Sequence, residues 1–167
     1  MVREEIGNLV TGKYPVFCHQ VNCKGVMGAG VAKQIRNNYP EVYREYKFLC
    51  SNGNASLGTI QPVKTSDNRI CVNLFSQYSY GRDGMYTNYD AFKKCLDELR
   101  SWMCIAAMST KMMTEKNPVV ALPMYIGCGL GGGNWNVILS IIEDFAVGFP
   151  YDIVLVRLGE QNGRDAV

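Results

Sequence analysis

The chain contains one histidine, His19, and none of its seven cysteines stands two residues from another. Those cysteines, at positions 18, 23, 50, 71, 95, 104 and 128, are odd in number. A zinc site would have to be assembled almost entirely from scattered thiols, so no metal is expected. Several of them lie in apolar runs, where a free thiol behaves as a small hydrophobe. A basic excess is missing as well: 17 Lys plus Arg against 15 Asp plus Glu leaves a formal charge of +2. That is no footprint for polymeric nucleic acid, although a small phosphorylated ligand is compatible with it. No apolar run has the length of a membrane span, so no membrane partner is expected. The amino terminus MVREEIGNLV is too short and too acidic for a secretory segment, and with reduced cysteines it points to the cytoplasm. Repeats, low-complexity stretches and linkers are absent too. One domain is expected over residues 4–158, with a polar, frayed tail over 159–167.

What is present describes a globular domain: 47% hydrophobic and 19% charged residues in 167 positions, enough to bury a core without staples. Val16-Phe17-Cys18 reads as a short buried strand. Helical character over VAKQIRNNY stops at Pro40, and a second short helix is expected from Glu41 to Cys50. The β-branched stretches Gly58 to Lys64 and Arg69 to Phe75 read as strands. Phe92, Leu96, Leu99 and Met103 recur at helical spacing, and Met108, Met112 and Met113 continue that apolar character as core filler. The run VVAL, between Pro118 and Pro123, has the composition of a buried central strand. A helix over Trp135 to Phe145 and a closing strand DIVLVRL complete the pattern. Apolar strands alternating with amphipathic helices imply an α/β fold, a three-layer α/β/α sandwich around a mixed, mostly parallel central sheet.

Two segments share one design of apolar strand, glycine-rich turn and helix: VFC, HQVNCKGVMGAG, VAKQI and then VVAL, PMYIGCGLGGG, NWNVILSII. Glycines let the backbone approach a ligand and turn successive N–H groups toward an anion. The following helix terminus adds partial positive charge. Two such turns suit a diphosphate gripped from both sides. Neither matches the dinucleotide fingerprint or a P-loop. The alternative is that the glycines only make tight strand–helix turns.

The blocks HQVNCKGVMGAGVAKQIRNNYPEVYREY, NLFSQ ahead of TNYDAF, and LPMYIGCGL before Trp135 resemble macro domains, with spacing kept over nearly the whole chain. The similarity is to the branch of ADP-ribose 1″-phosphate phosphatases, near the terminal ADP-ribose protein glycohydrolases. It implies a small-molecule ligand, ADP-ribose or a derivative, with an ADP-ribosylated protein as a further partner and no cofactor. It also implies roles by position. Asn8 and Leu9 fall where an acidic residue usually meets the adenine, so the Asn8 amide oxygen would accept from the adenine amino group without charge assistance. Asn22 would contact the distal ribose. Gly28, Ala29, Gly30 and Val31 would form the first phosphate loop. Pro123, Ile126, Gly127, Cys128, Gly129, Leu130 and Gly131 would form the second, with Ser76 and Gln77 beside them. Tyr78, Tyr80 and Tyr125 would wall the distal ribose or serve as ordinary sheet-edge aromatics.

Departures from the family bear on the reaction. Ala32 stands where some macro-domain hydrolases place an aspartate. Gln77 or Tyr78 stands at the lysine of the glycohydrolase branch, and Gly131 at its aspartate, which argues against a lysine-based covalent route. His19 aligns with a histidine of the phosphatase branch and is the expected proton carrier for water attacking a phosphate, with Asp90 as a second candidate. A buried, hydrogen-bonded histidine and a dipole-favouring first-turn carboxylate are the structural alternatives. Cys128 between glycines is a nucleophile only if its pKa is depressed; otherwise it is a small residue that fits the loop. Three readings follow: an ADP-ribose 1″-phosphate phosphatase, a de-ADP-ribosylating or O-acyl-ADP-ribose hydrolase, and a non-catalytic ADP-ribose reader.

Overall fold

The computed structural model describes residues 1–109 and 119–159. Strands β1 (Val2–Ile6), β2 (Val16–Asn22), β3 (Ile60–Lys64), β4 (Ile70–Gln77), β5 (Val119–Pro123) and β6 (Asp152–Arg157) form one sheet in the order β1-β6-β5-β2-β4-β3. Every neighbouring pair is parallel except β3 with β4. β3 is an edge strand, the position where its Pro62 removes no ladder bond that a neighbour needs. The helices are α1 (Gly30–Asn38), α2 (Pro40–Ser51), α3 (Tyr89–Ser109) and α4 (Trp135–Ala146).

Alternation along β2 divides the core into layers. Val16 and Cys18 pack with Phe92, Leu96, Leu99 and Met103 of α3 and Ile138 and Ile142 of α4. Phe17 packs on the other face with Ile35 of α1 and Val42 of α2. Val21 continues that second face into a cluster with Met27, Tyr46 and Phe75. The sandwich is therefore α/β/α, as the alternation of apolar strands and amphipathic helices implies. Each fully buried Leu, Phe or Met of α3 contributes about 1.5–3 kcal/mol, which holds the 21-residue helix on the sheet.

Most elements differ from the sequence expectation by a residue or two, β4 among them, which runs over Ile70–Gln77 rather than Arg69 to Phe75, and four differences have a plain physical reason. β1 was not expected, because its residues VREEI carry three charges; the strand lies at the sheet edge, where Arg3 pairs with Glu5 at 3.0 Å and charge is tolerated. β2 runs four residues past Cys18, to Asn22, since His19, Gln20 and Asn22 find hydrogen-bond partners inside the fold. β3 begins at Ile60, after Gly58 turns the chain with φ +82°. α2 takes Pro40 as its first residue rather than starting after it, a position where the missing N–H is needed by nothing. Pro118, Met112, Met113 and the tail from Glu160 onward lie outside the described residues. Among the described residues no helix is long and apolar enough to cross a membrane.

Candidate ligand-binding site

β2 and β5 are adjacent, parallel and central, so the segments that follow them emerge at the same edge of the sheet. The chain leaving β2 forms α1 and α2 on one face and returns through edge strand β3 to β4 on one side; the chain leaving β5 forms α4 on the other face and returns to β6 on the other side. Where neighbouring strands send their connections to opposite faces, a crevice opens beyond their carboxyl ends. Both glycine-rich turns line it.

The first turn is built on Asn22, which is 5% exposed. Its Oδ1 accepts from the N–H groups of Lys24 at 2.9 Å and Val26 at 3.3 Å, and its Nδ2 donates to the Val26 carbonyl at 2.8 Å. The Tyr46 hydroxyl lies 2.8 Å from both oxygens of Asn22 and accepts from Val26 N–H at 3.1 Å. This knot folds residues 22–26, with Gly25 at φ +76°, and sends Gly28, Ala29 and Gly30 out to solvent. Ala29 is the N-cap of α1 and offers no side-chain acceptor, and no acidic residue sits in the first turn. The N–H groups of Gly28, Ala29, Gly30 and Val31 have no partner among the described residues, which leaves an uncapped helix terminus pointing at the crevice.

The second turn starts at Tyr125, a non-glycine residue at φ 61°, and continues through Gly127 at φ +74°. Ile126 N–H returns to Pro123, Cys128 N–H to Tyr125, Gly132 N–H to Gly129 and Gly133 N–H to Gly127, at 2.9–3.1 Å. The N–H groups of Gly129, Leu130 and Gly131 are left without a partner among the described residues. α4 follows, capped by Asn134, whose side chain accepts from Asn136 N–H at 2.9 Å.

The remaining expected residues divide by what their polar atoms already do. Leu9 and Ile126 are buried in the core, so their side chains serve packing. Pro123 is likewise buried, and its carbonyl closes the turn to Ile126. Asn8 Oδ1 accepts from Val10 N–H at 2.9 Å and Thr11 N–H at 3.1 Å, so the group it presents outward is the Nδ2 donor rather than an acceptor. Ser76 is fully buried and donates to Gln20 Oε1 at 2.8 Å. Gln77 accepts from Gln20 Nε2 at 2.6 Å and donates to the Ser79 carbonyl at 2.9 Å.

His19 lies inside β2, three residues before its end, rather than where strand meets loop. It is 1% exposed, and burial pushes its pKa down to about 4 against a weaker opposing pull from the Asn73 hydrogen bond. Asp90 is exposed in the first turn of α3, whose N-cap is instead Asn88, its Oδ1 accepting from Ala91 N–H at 2.8 Å. Cys128 sits seven residues ahead of α4, not at its terminus, and burial raises its pKa. Tyr78, Tyr80, Tyr125 and Leu130 are all about half exposed. Gln20, Thr87 and Tyr46, which tie the turns to the scaffold, carry no sequence motif; only their placement in a strand, a turn and a helix face reveals them.

Against known proteins, the macro domain family model matches residues 18–142. An uncharacterized 17.5 kDa protein of Enterobacteria phage T4 is 26% identical over 134 residues, covering 78% of this chain and 79% of that protein. The DNA ADP-ribosyl glycohydrolase of Mycobacterium tuberculosis is 34% identical over 65 residues, which is 39% of this chain and only 18% of that one. The ADP-ribose 1″-phosphate phosphatase of Saccharomyces cerevisiae is 30% identical over 94 residues, 52% of each chain. The solved macrodomain of Mycobacterium tuberculosis DarG superposes with a TM-score of 0.76 at 23% identity, over 95% of this chain and 99% of that one. The family match spans most of the sheet and both glycine turns at its switch point, and the chain belongs to the macro domain family.

Proposed function

We propose that the chain binds ADP-ribose or a close derivative, with the diphosphate held by backbone N–H groups of both turns, and that it releases phosphate from ADP-ribose 1″-phosphate. The observation that carries the binding is the pair of unpartnered N–H runs, Gly28 to Val31 and Gly129 to Gly131, beyond adjacent parallel strands. Orphan amides at a helix terminus and in a glycine turn favour an anion without any cationic side chain. On this reading Asn8 meets the adenine as a donor to a ring nitrogen, because its oxygen is committed to Val10 and Thr11.

The hydrolytic part draws support from similarity to the yeast phosphatase. In that reaction water attacks phosphorus, the bond from phosphorus to the C1″ oxygen breaks, and a nearby group takes a proton from the water while the departing oxygen gains one, leaving ADP-ribose and phosphate. His19 and Asp90 are the residues assigned to that proton, His19 buried within β2 and Asp90 exposed at the start of α3. A second reading, binding without turnover of this ester, is favoured by the burial of His19. Its ligand is then an ADP-ribosylated macromolecule, in line with the glycohydrolase relative.

Calorimetry with ADP-ribose and a phosphate-release assay with ADP-ribose 1″-phosphate separate the readings. Release that is lost in His19→Ala and kept in Cys128→Ser supports the phosphatase. Tight ADP-ribose binding with no release supports the reader, and no binding at all removes both.

A further inference from the structure

We infer that Thr87 is a positioning residue: its hydroxyl fastens the second glycine turn from inside and decides which N–H groups of that turn face the ligand. The inference rests on the proposed diphosphate role of the turn and adds the device that shapes it.

The hydrogen bonds form a one-way chain. Ser76 Oγ donates to Gln20 Oε1 at 2.8 Å, Gln20 Nε2 donates to Thr87 Oγ1 at 2.9 Å, and Thr87 Oγ1 donates to the Gly127 carbonyl at 2.7 Å. The second proton of Gln20 Nε2 goes to Gln77 Oε1 at 2.6 Å. Every side-chain proton in the chain is spoken for, so the Thr87 hydroxyl proton has one destination. Thr87 is 2% exposed, and the backbone repeats the connection: Tyr86 and Thr87 N–H groups both donate to the Gly131 carbonyl, at 2.8 and 2.9 Å.

Both ends of the turn thus aim a carbonyl inward, at Thr87 or its peptide. Gly129, Leu130 and the Gly131 amide lie between these two anchored carbonyls. The glycines divide accordingly. A Cβ on Gly131 would stand 2.4 Å from Thr87 Oγ1, and one on Gly127 would stand 2.8 Å from Gln20 Oε1 and 3.0 Å from Thr87 Oγ1. A Cβ on Gly129 would meet nothing within 4 Å. Gly127 and Gly131 make room for the fastening, whereas Gly129 stands on the open side. An amide array held before the ligand arrives loses less freedom on binding, so the fastening acts on affinity.

The test compares wild type, Thr87→Val and Thr87→Ser by amide hydrogen exchange over residues 127–133 and by calorimetry with ADP-ribose. Val keeps the shape and removes the hydroxyl; Ser restores it. Thr87→Val should exchange at least tenfold faster in that segment, with rates in β2 and β5 unchanged, and bind ADP-ribose at least tenfold more weakly. Thr87→Ser should return both readouts to within about threefold of wild type. If Thr87→Val melts without cooperativity, Gln20→Met, which removes the donor to Thr87, takes its place with the same expectations. Wild-type exchange and affinity in a folded Thr87→Val or Gln20→Met overturn the inference. Failure of the wild type to bind ADP-ribose instead overturns the ligand reading, and the exchange comparison still decides the fastening.

Discussion

His19 Nε2 lies 2.6 Å from Asn73 Oδ1, and Asn73 Nδ2 donates in turn to Gln61 Oε1 at 3.0 Å. Because the Asn73 amide spends a donor on Gln61, its oxygen faces His19, and the imidazole proton resides on Nε2. The other ring nitrogen, Nδ1, is buried without a partner among the described residues. Protonating it would place a cation between Phe17 and Val21 on the sheet face under α1 and α2.

That arrangement predicts acid sensitivity. The folded pKa of about 4 lies below the unfolded value of 6.5, so the unfolded chain binds a proton first. The stability associated with neutral His19 is complete above pH 6.5 and is lost as pH falls toward 4, a total of about 3 kcal/mol. Asp67 and Glu41 also have lowered values: burial opposes the shift, and hydrogen bonds, from Thr65 to Asp67 and from Ser66 to Glu41 among them, outweigh it. Their unfolded values, 3.8 and 4.5, put their losses at the acid end of the window. Urea unfolding at pH 7.5, 5.5 and 4.5 should show wild type losing about 1.4 kcal/mol by pH 5.5 and about 2.5 kcal/mol by pH 4.5, and His19→Gln should be flatter. Parallel slopes for the two proteins would show that His19 titrates as an exposed residue does.

The second turn predicts opposite behaviour for glycines two positions apart. Gly129→Glu meets open space and needs no positive φ, so its stability should stay within about 0.5 kcal/mol of wild type while the added carboxylate repels the diphosphate. Gly131→Ala must displace Thr87 and the Gly127 carbonyl, which costs about 1–3 kcal/mol. Gly30→Ala is a third case. Its surroundings are empty, but φ +56° imposes about 1–2 kcal/mol of backbone strain. Thermal melts beside ADP-ribose calorimetry distinguish the three: lost binding with an unshifted melt for Gly129→Glu, and shifted melts for the other two. A Gly129→Glu protein that binds ADP-ribose like wild type would remove the second turn from the site.

The layers and both turns were legible because they rest on local signals. Apolar periodicity marks α3 and α4, and the glycine clusters mark places where the backbone must turn or approach. What escaped was polar structure satisfied at long range. His19, Gln20 and Asn22 look like loop residues until Asn73, Thr87 and Tyr46 are found opposite them, 54, 67 and 24 positions away in the chain. β1 escaped for the converse reason, since an edge strand exposing charge to water has no apolar pattern to betray it. Asn8 shows the same limit within a site: its position was read from the blocks, but the direction of its amide was set by two backbone N–H groups nearby.

Asn22 and Tyr46 should behave as one unit. Asn22→Ala removes the acceptor and donor that fold residues 22–26, at a cost of about 2–3 kcal/mol, and Tyr46→Phe costs about 1 kcal/mol. Because the same hydroxyl supports the same carboxamide, the double variant should cost at least about 0.5 kcal/mol less than the sum. Additive losses in chemical denaturation would mean that the two side chains support the first turn separately. ADP-ribose affinity should fall in both single variants, since α1 then starts from a disordered approach.

Arg69 anchors the segment that carries Asn8, and a lysine should not replace it. The guanidinium is 8% exposed, stacks 4.5 Å from the Phe17 ring centroid, and donates to the Val10 carbonyl and the Tyr39 hydroxyl, with the Leu9 carbonyl at 3.5 Å. Its pairing with Asp67 at 2.9 Å matters less, because the Asp67 side chain is 47% exposed and solvent screens it. Arg69→Lys keeps the charge but loses the planar fork, leaving the Val10 carbonyl with the Tyr39 hydroxyl alone as donor at 2.9 Å and removing the stack on Phe17. We expect a loss of about 2 kcal/mol, most of it from the lost guanidinium hydrogen bonds and ring stacking, together with weaker ADP-ribose binding as Asn8 loses its support. Asp67→Asn should cost less than about 1 kcal/mol and leave affinity unchanged. If Asp67→Asn proves as damaging as Arg69→Lys, the ion pair rather than the fork holds the segment, and the adenine end of the site depends on charge.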